Sequence, residues 1–548
     1  MRPPPGLAGV LALSALLVAG CAVGPDFVAP KAPAVQAYLR GGNPEQTAAG
    51  DGVAQRFAAG PDVPANWWRM FGSPPLDRAM DAALAANPTL QAAQANLRAA
   101  QASLRAGAGV FYPQVASSAE GARQAVVPAR LGQAGAPSVF NLWTLNASVS
   151  YVLDLFGGNR RAVESLAAQA EAQRYTVAAA YLTLTGNLVN TAIARAGYDA
   201  QIDVTHTLVA LVREQVDITH SQVEAGIVPH ATELSVVAQL AALEASLPPL
   251  EQKRDQAEHL EATLMGRYPA QAEPVALALA SLRLPADLPQ LVPSALVRQR
   301  PDVLTAQARL HMASAEVGVA TAAMLPSITL TAAYGRESNQ VARLFGGQAG
   351  TWSVGANLLA PVFQGGSLYY RREAATAALQ AADADYRQVV LSAFEQVADA
   401  LRALEHDAAQ VDAQARAQEA ARIALEELQA DYRAGTASYL QVLSADTQYQ
   451  QAALGYLQAR TQRLQDTVAL FLALGGGWRN EGERAGAAPP AMGEAAGNGR
   501  PHGGRESLAD ARVAARVRGP TAHRPDRRWH AMLSPINVLS RLPTTLQA

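Results

Sequence analysis

Cys21 is the residue whose type and setting best suit covalent chemistry. It is the only cysteine among 548 residues, so it has no internal disulfide partner. It closes the run Leu17-Val18-Ala19-Gly20-Cys21, which follows Arg2 and an apolar stretch from Leu7 to Ala19. A short apolar region ending on small residues reads as a secretory signal rather than a transmembrane helix. Cleavage before Cys21 leaves a thiol able to take a diacylglyceryl thioether and a new α-amine able to take an acyl chain. Several acyl chains anchor a protein stably where one binds marginally. The bland alternative is an incidental cysteine beside an ordinary cleavage site.

No second chemical constellation competes with it. The 9 histidines are scattered without metal-ligand spacing. Gly475-Gly476-Gly477 lacks the Lys and Ser or Thr of a phosphate-binding loop, and no nucleophile motif is present. With 49% apolar residues and a net charge of −2, the composition is that of a large globular protein. The expectation is a chain that is not an enzyme, with no metal, no nucleic-acid partner and no cofactor beyond lipid on Cys21.

The positioning elements come in two copies. Pro88, Gln94, Leu97, Pro113 and Arg123 reappear as Pro301, Gln307, Leu310, Pro326 and Arg336, 213 positions on (301 − 88). Trp143, Gly157, Gly226, Leu234, Gln239 and Gly266 reappear as Trp352, Gly366, Gly435, Leu443, Gln448 and Gly475, 209 positions on (352 − 143). The offset changes once, between Arg123 and Trp143, and surface loops tolerate such changes.

Each copy predicts a strand hairpin followed by a long helical pair. Trp143, Leu145, Ala147, Val149, Tyr151 and Leu153 alternate with Thr144, Asn146, Ser148 and Ser150, a strand of about ten residues. Ile328, Leu330, Ala332 and Tyr334 alternate likewise, as do Trp352, Val354, Ala356 and Leu358. Proline-free stretches from Asn159 to Ala225 and from Leu368 to Ala434 then read as helices about 100 Å long. Ile202, Thr205, Val209, Val212, Val216, Thr219 and Val223 have the 3-4 spacing of a coiled-coil seam. Glycine ends each long helix, at Gly226 and Gly435, and return helices follow from Ala231 to Met265 and from Tyr439 to Leu474.

Strands that are apolar on one side and polar on the other, about ten residues long, suit an outer-membrane barrel. No later segment reaches the roughly 20 apolar residues of a spanning helix. Four strands cannot close a barrel, and an open edge in lipid strands backbone groups. The chain must therefore oligomerise, and a cyclic assembly does so with identical interfaces.

The motifs carry a resemblance. Cys21-Ala22-Val23-Gly24-Pro25-Asp26-Phe27, Trp67-Trp68, Leu153-Asp154-Leu155-Phe156-Gly157, Arg300-Pro301-Asp302, Leu325-Pro326-Ser327, Phe363-Gln364-Gly365-Gly366, Gly435 to Leu443 and Leu474-Gly475-Gly476-Gly477-Trp478 occur in one order. Jointly they resemble the outer membrane factors of tripartite efflux systems, the TolC and OprM type, in the lipoprotein subgroup often labelled NodT. Cys21 followed by Ala22 also resembles bacterial lipoproteins sorted to the outer membrane. The resemblance implies an α+β membrane protein, a homotrimer with one 12-stranded barrel and a periplasmic α-helical tunnel. It also implies a passive duct for drugs or other small toxic compounds, partnered by a periplasmic adaptor and an inner-membrane pump of RND type.

In that family the hairpin turns meet the adaptor and aspartate rings beyond the second turn narrow the pore. The tips correspond here to Gly226, Ile227 and Val228, and to Gly435, Thr436 and Ala437. The gate aspartates correspond to Gln441 and Ser444, with Thr232 in the first copy, so the gate departs from the charged pattern. Glu233 and Asp446 read as solvated carboxylates, and His230 as a turn residue with no special role.

The expected division is a signal peptide at 1–20 and a lipid-anchored tether at 21–66. A first repeat spans 67–270, with strands at about 113–154 and helices at about 159–265. A linker at 271–292 leads to a second repeat at 293–478, with strands at about 326–363 and helices at about 367–474. An Arg/Gly/Pro-rich tail at 479–548 reads as disordered. Two other functions fit less well. The exit of a type I protein secretion system is disfavoured by the lipid-anchor motif. An adaptor would carry one helical hairpin flanked by small Gly-rich β domains, and the alternating strands speak against a structural periplasmic coiled-coil lipoprotein.

Overall fold

The computed structural model describes residues 22–50, 52–59, 63–127 and 134–478. Cys21, the signal sequence and the tail from 479 lie outside these residues. The described residues belong to one compact unit.

In chain order, strand β1 (Arg56–Ala59) leads through a 3-10 turn at Trp67–Phe71 into helices α1 (Pro74–Ala86) and α2 (Pro88–Gly107). Ser73 and Asn87 cap these helices, their side-chain oxygens accepting from the Leu76 and Leu90 amides, with proline next in each case. Strands β2 (Gln114–Val126) and β3 (Ser138–Leu153) then pair antiparallel. The turn after β3 launches α3 (Gly158–Glu224), and the Asp154 carboxylate accepts from the Asn159 and Arg160 amides at 3.0 and 2.9 Å. A carboxylate there satisfies orphan donors and complements the helix dipole. Helix α4 (His230–Leu264) returns, continuing through Pro248 and Pro249 with two ladder donors missing.

The second half repeats the plan through β4 (Asp287–Gln290), α5 (Pro293–Gln299), α6 (Pro301–Ala322), β5 (Ser327–Ser338), β6 (Gly350–Leu359), α7 (Ser367–Arg433) and α8 (Tyr439–Ala473). Helices α3 and α7 are each 67 residues long, and α4 and α8 are each 35. Both long helices end identically. The Gly226 amide reaches Val223 O while the Ile227 amide reaches Gln222 O, and the Gly435 and Thr436 amides reach Tyr432 O and Asp431 O. This double closure requires a left-handed residue, and Gly226 and Gly435 have φ of 72° and 77°.

Helix α3 lies at the centre, against α2, α4, α6 and α8. Trp67 stacks on Phe471 at 5.3 Å, with Leu188, Ile193, Leu296, Leu401 and Leu404 fully buried in the same core. Replacing Trp67 by Ala would cost about 3–5 kcal/mol through the cavity left behind. Arg300 joins three elements, donating to Ala473 O, Gln396 Oε1 and Asp302. The Trp67-Trp68 and Arg300-Pro301-Asp302 motifs thus hold the core.

The segment expected as a tether is extended but docked. The Val23 amide donates to Phe156 O, and the Arg161 guanidinium holds Val23 O and Asp26. Phe27 stacks on His311 at 4.3 Å, and Tyr38 Oη donates to Leu291 O. Further on, buried Arg463 donates to Gly50 O, Val53 O, Gln55 Oε1 and Thr47 Oγ1, and β1 pairs in parallel with β4. A Pro- and Gly-rich segment makes little secondary structure, so its backbone carbonyls are satisfied by side chains of the body.

Candidate functional site

Four strands form one antiparallel sheet in the order β2-β3-β5-β6. On β3, Trp143, Leu145, Ala147 and Val149 are exposed, while Thr144, Asn146, Ser148 and Ser150 on the other face are half-buried. A sheet in water would place these faces the other way round. Tyr334 pairs directly with Trp352, and Trp352 and Val354 are 78% and 76% exposed. An apolar surface of this extent in a folded chain marks contact with lipid or protein. Gly121 sits opposite Trp143, whose ring would lie 2.5 Å from any Cβ there. Phe111, Tyr112, Phe363, Tyr369 and Tyr370 are exposed beside the strand ends, as aromatics at a membrane–water interface are. Among the described residues the outer edges of β2 and β6 have no strand partner.

Sequence reading found no later segment apolar enough to span a membrane. Helix α3 does contain one by length and composition, but 56% of that window is buried in the protein, as suits the central core helix.

At the other end of the helices lie the two turns. Gly226, Ile227, Gly435 and Thr436 are exposed, and Val228 and Ala437 are partly covered. Gln441 and Ser444 are both exposed, one turn apart on one face of α8, while Thr232 is exposed on the first turn of α4. Gln441 has a local task as well: its Oε1 accepts from the Ser438 amide at 2.8 Å while Ser438 Oγ accepts from its own amide, a closed capping box.

Two features of the tips escaped sequence reading. Tyr439 Oη donates to Glu214 of α3 at 2.7 Å, tying the second hairpin to the shaft of the first. This link joins distant parts of the chain, and no local pattern announces it. Glu233 is not a solvated carboxylate, nor is His230 without partners. The Glu233 side chain is 15% exposed and accepts from His220 and His230 at 2.8 and 3.1 Å. His220 lies six residues before Gly226 and Glu233 seven after it (226 − 220, 233 − 226), a near-symmetry about a helical turn that was available as a signal. Among the described residues no group of three or more potential ligands is arranged for a metal ion.

A mostly helical α+β chain with such a sheet has the fold of an outer-membrane channel. The outer-membrane channel OprN superposes with a TM-score of 0.73 at 28% identity, over 84% of this chain and 100% of that one. The open state of the Neisseria gonorrhoeae MtrE outer membrane channel gives 0.71 at 25% identity, over 84% and 99%.

The chain belongs to the outer membrane efflux protein family, whose profile matches residues 79–267 and 292–476. It is 31% identical to the pyoverdine export outer membrane protein OpmQ of Pseudomonas putida over 434 residues, 78% of this chain and 91% of that protein. It is 29% identical to the toluene efflux pump outer membrane protein TtgC of Pseudomonas putida over 478 residues, 85% and 95% of the two. It is an outer membrane efflux channel that extends into the periplasm.

Proposed function

We propose that three copies join edge to edge, β6 of one against β2 of the next, into a 12-stranded barrel continued by a helical tunnel. The observation that carries this reading is the four-stranded sheet with its apolar face outward and two unpaired edges. An unpaired edge in lipid costs several kcal/mol per stranded group, and a ring removes every edge. The lumen is then lined by Thr144, Asn146, Ser148 and Ser150.

The duct is passive. A periplasmic adaptor docks at the tips Gly226–Val228 and Gly435–Ala437, and an inner-membrane pump of RND type supplies the energy and selects a cargo of small toxic compounds. Lipid on Cys21 adds a second attachment to the outer membrane. Helix α8 carries the neutral gate at Gln441 and Ser444, with Thr232 on the first hairpin and Tyr439 bonded to Glu214 behind it.

Single cysteines on β2, at Ser117 or Ala119, combined with one on β6, at Val354 or Ala356, test the edge pairing in a chain with Cys21 retained for processing. Oxidation is expected to give a covalent ladder ending at the trimer. A monomer that never crosslinks contradicts the ring.

A further inference from the structure

The two hairpin tips are closed by different forces. In the second, Val442 of α8 is buried against Leu425 of α7 and Ala445, with Leu428, Tyr439 and Tyr449 around them, an apolar plug. In the first, the position 209 residues earlier (442 − 209) is Glu233, and the partners are imidazoles. One Glu233 oxygen accepts from His220 Nδ1 on the last turns of α3, and the other from His230 Nδ1 at the start of α4. Residues corresponding to His220 and His230 in the second hairpin are Gln429 and Tyr439, neither of which titrates near neutral pH.

We propose that His220, Glu233 and His230 form an acid-strengthened clasp that closes the first hairpin tip, so that this tip alone loosens as the periplasm turns from mildly acidic to alkaline.

The charges around the clasp set its sign. On α3, Asp217 and Glu224 face His220, the latter 3.6 Å from its Nε2. On α4, Glu233 is the acceptor. Farther down the shaft, Arg213 of α3 is paired with Glu244 of α4, and Glu214 is taken by Tyr439 of α8. Three carboxylates thus surround His220, and protonating it relieves a local excess of negative charge.

The hydrogen bond to Glu233, then the charges of Glu233 and Glu224, hold His220 above its ordinary value of 6.5. Its contribution is complete below 6.5 and is lost as pH rises through the raised folded value. Glu233 is held below its ordinary 4.5, first by the His220 hydrogen bond, so its contribution is complete above 4.5 and is lost only in stronger acid. The clasp is tightest between those limits, and it stands whether or not an adaptor docks there.

Hydrogen exchange of the full-length protein in detergent, measured by mass spectrometry from pH 5.5 to 8.5 and corrected for the chemical rate, reads it directly. Protection of peptides spanning 217–236 is expected to fall several-fold with rising pH, while peptides spanning 426–445 stay flat. Glu233→Gln is expected to abolish the pH response of the first tip, and His220→Gln to reduce it, with the second tip as an internal control for folding. An equal response in both tips, no response in the first, or a response that survives Glu233→Gln would overturn the proposal.

Discussion

Tyr439, the first residue of α8, donates its hydroxyl to Glu214 of α3 at 2.7 Å, so the return helix of the second hairpin is bonded to the first. The Glu214 hydrogen bond holds the Tyr439 phenol above its ordinary 10.0, and the link persists through neutral pH. Tyr439→Phe removes the donor and leaves the ring tilted against Tyr432 at 5.3 Å. In planar bilayers the variant is expected to show a several-fold higher open probability, since an exposed hydrogen bond contributes about one factor of RT or more. Unchanged gating would show that the link is incidental.

Gln441 and Ser444 stand where the resemblance puts aspartates. A neutral gate has nothing to hold a divalent cation, so conductance is expected to change little with added Mg²⁺ or Ca²⁺. Gln441→Asp with Ser444→Asp is expected to create block at millimolar cation, because carboxylate rings select hard cations. Strong block of the parent protein contradicts the neutral gate.

The two faces of β3 respond oppositely to charge. Leu145→Arg, at the centre of β3, places a cation in the lipid at a cost of about 2–4 kcal/mol near the midplane, and is expected to reduce assembled protein in outer membrane fractions. Ser148→Arg points the other way and is expected to assemble normally while altering ion selectivity. Equal loss from both would contradict the assignment of faces.

The strands and turns were readable because their causes are local. The alternation around Trp143 and the glycines at 226 and 435 each depend on a few neighbouring residues, and β3 runs from Ser138, five residues before Trp143 (143 − 138). The docked N-terminal strap was not readable, because Arg463 binds Gly50 and Val53 across some 410 positions and a Pro/Gly-rich segment carries no periodicity. The tip positions followed from the glycine turns; the Ser438-to-Gln441 capping-box spacing and the near-symmetry of His220 and Glu233 about Gly226 were there to be read, whereas which imidazole Nδ1 meets which Glu233 oxygen depends on the rotamers the folded tip selects.

Arg463 offers a test of that strap. Arg463→Met removes the donor to buried Gln55 Oε1 and to the Val53 carbonyl, and one of the two donors to the Gly50 carbonyl, at a cost of about 1–3 kcal/mol. Limited proteolysis is expected to cut residues 29–55 in the variant and spare them in the parent. Equal resistance would mean that β1 pairing alone holds the strap.

Asp407 is buried on α7 with Oδ2 lacking a donor, and burial first, then the adjacent Asp466, pushes its carboxyl up to about 7. A raised carboxyl contributes stability in acid that is lost as pH rises through about 7. The detergent-solubilised protein is expected to melt lower at pH 8 than at pH 5, and Asp407→Asn is expected to remove much of that difference. A pH gap unchanged by the substitution would place its origin elsewhere.

The most direct test of the duct is single-channel recording of the detergent-extracted protein in planar bilayers, with its mass measured in the same preparation. The account predicts discrete openings from a particle of three chains. A monomer without conductance would contradict it, leaving the outward apolar face of β3 without the membrane it requires.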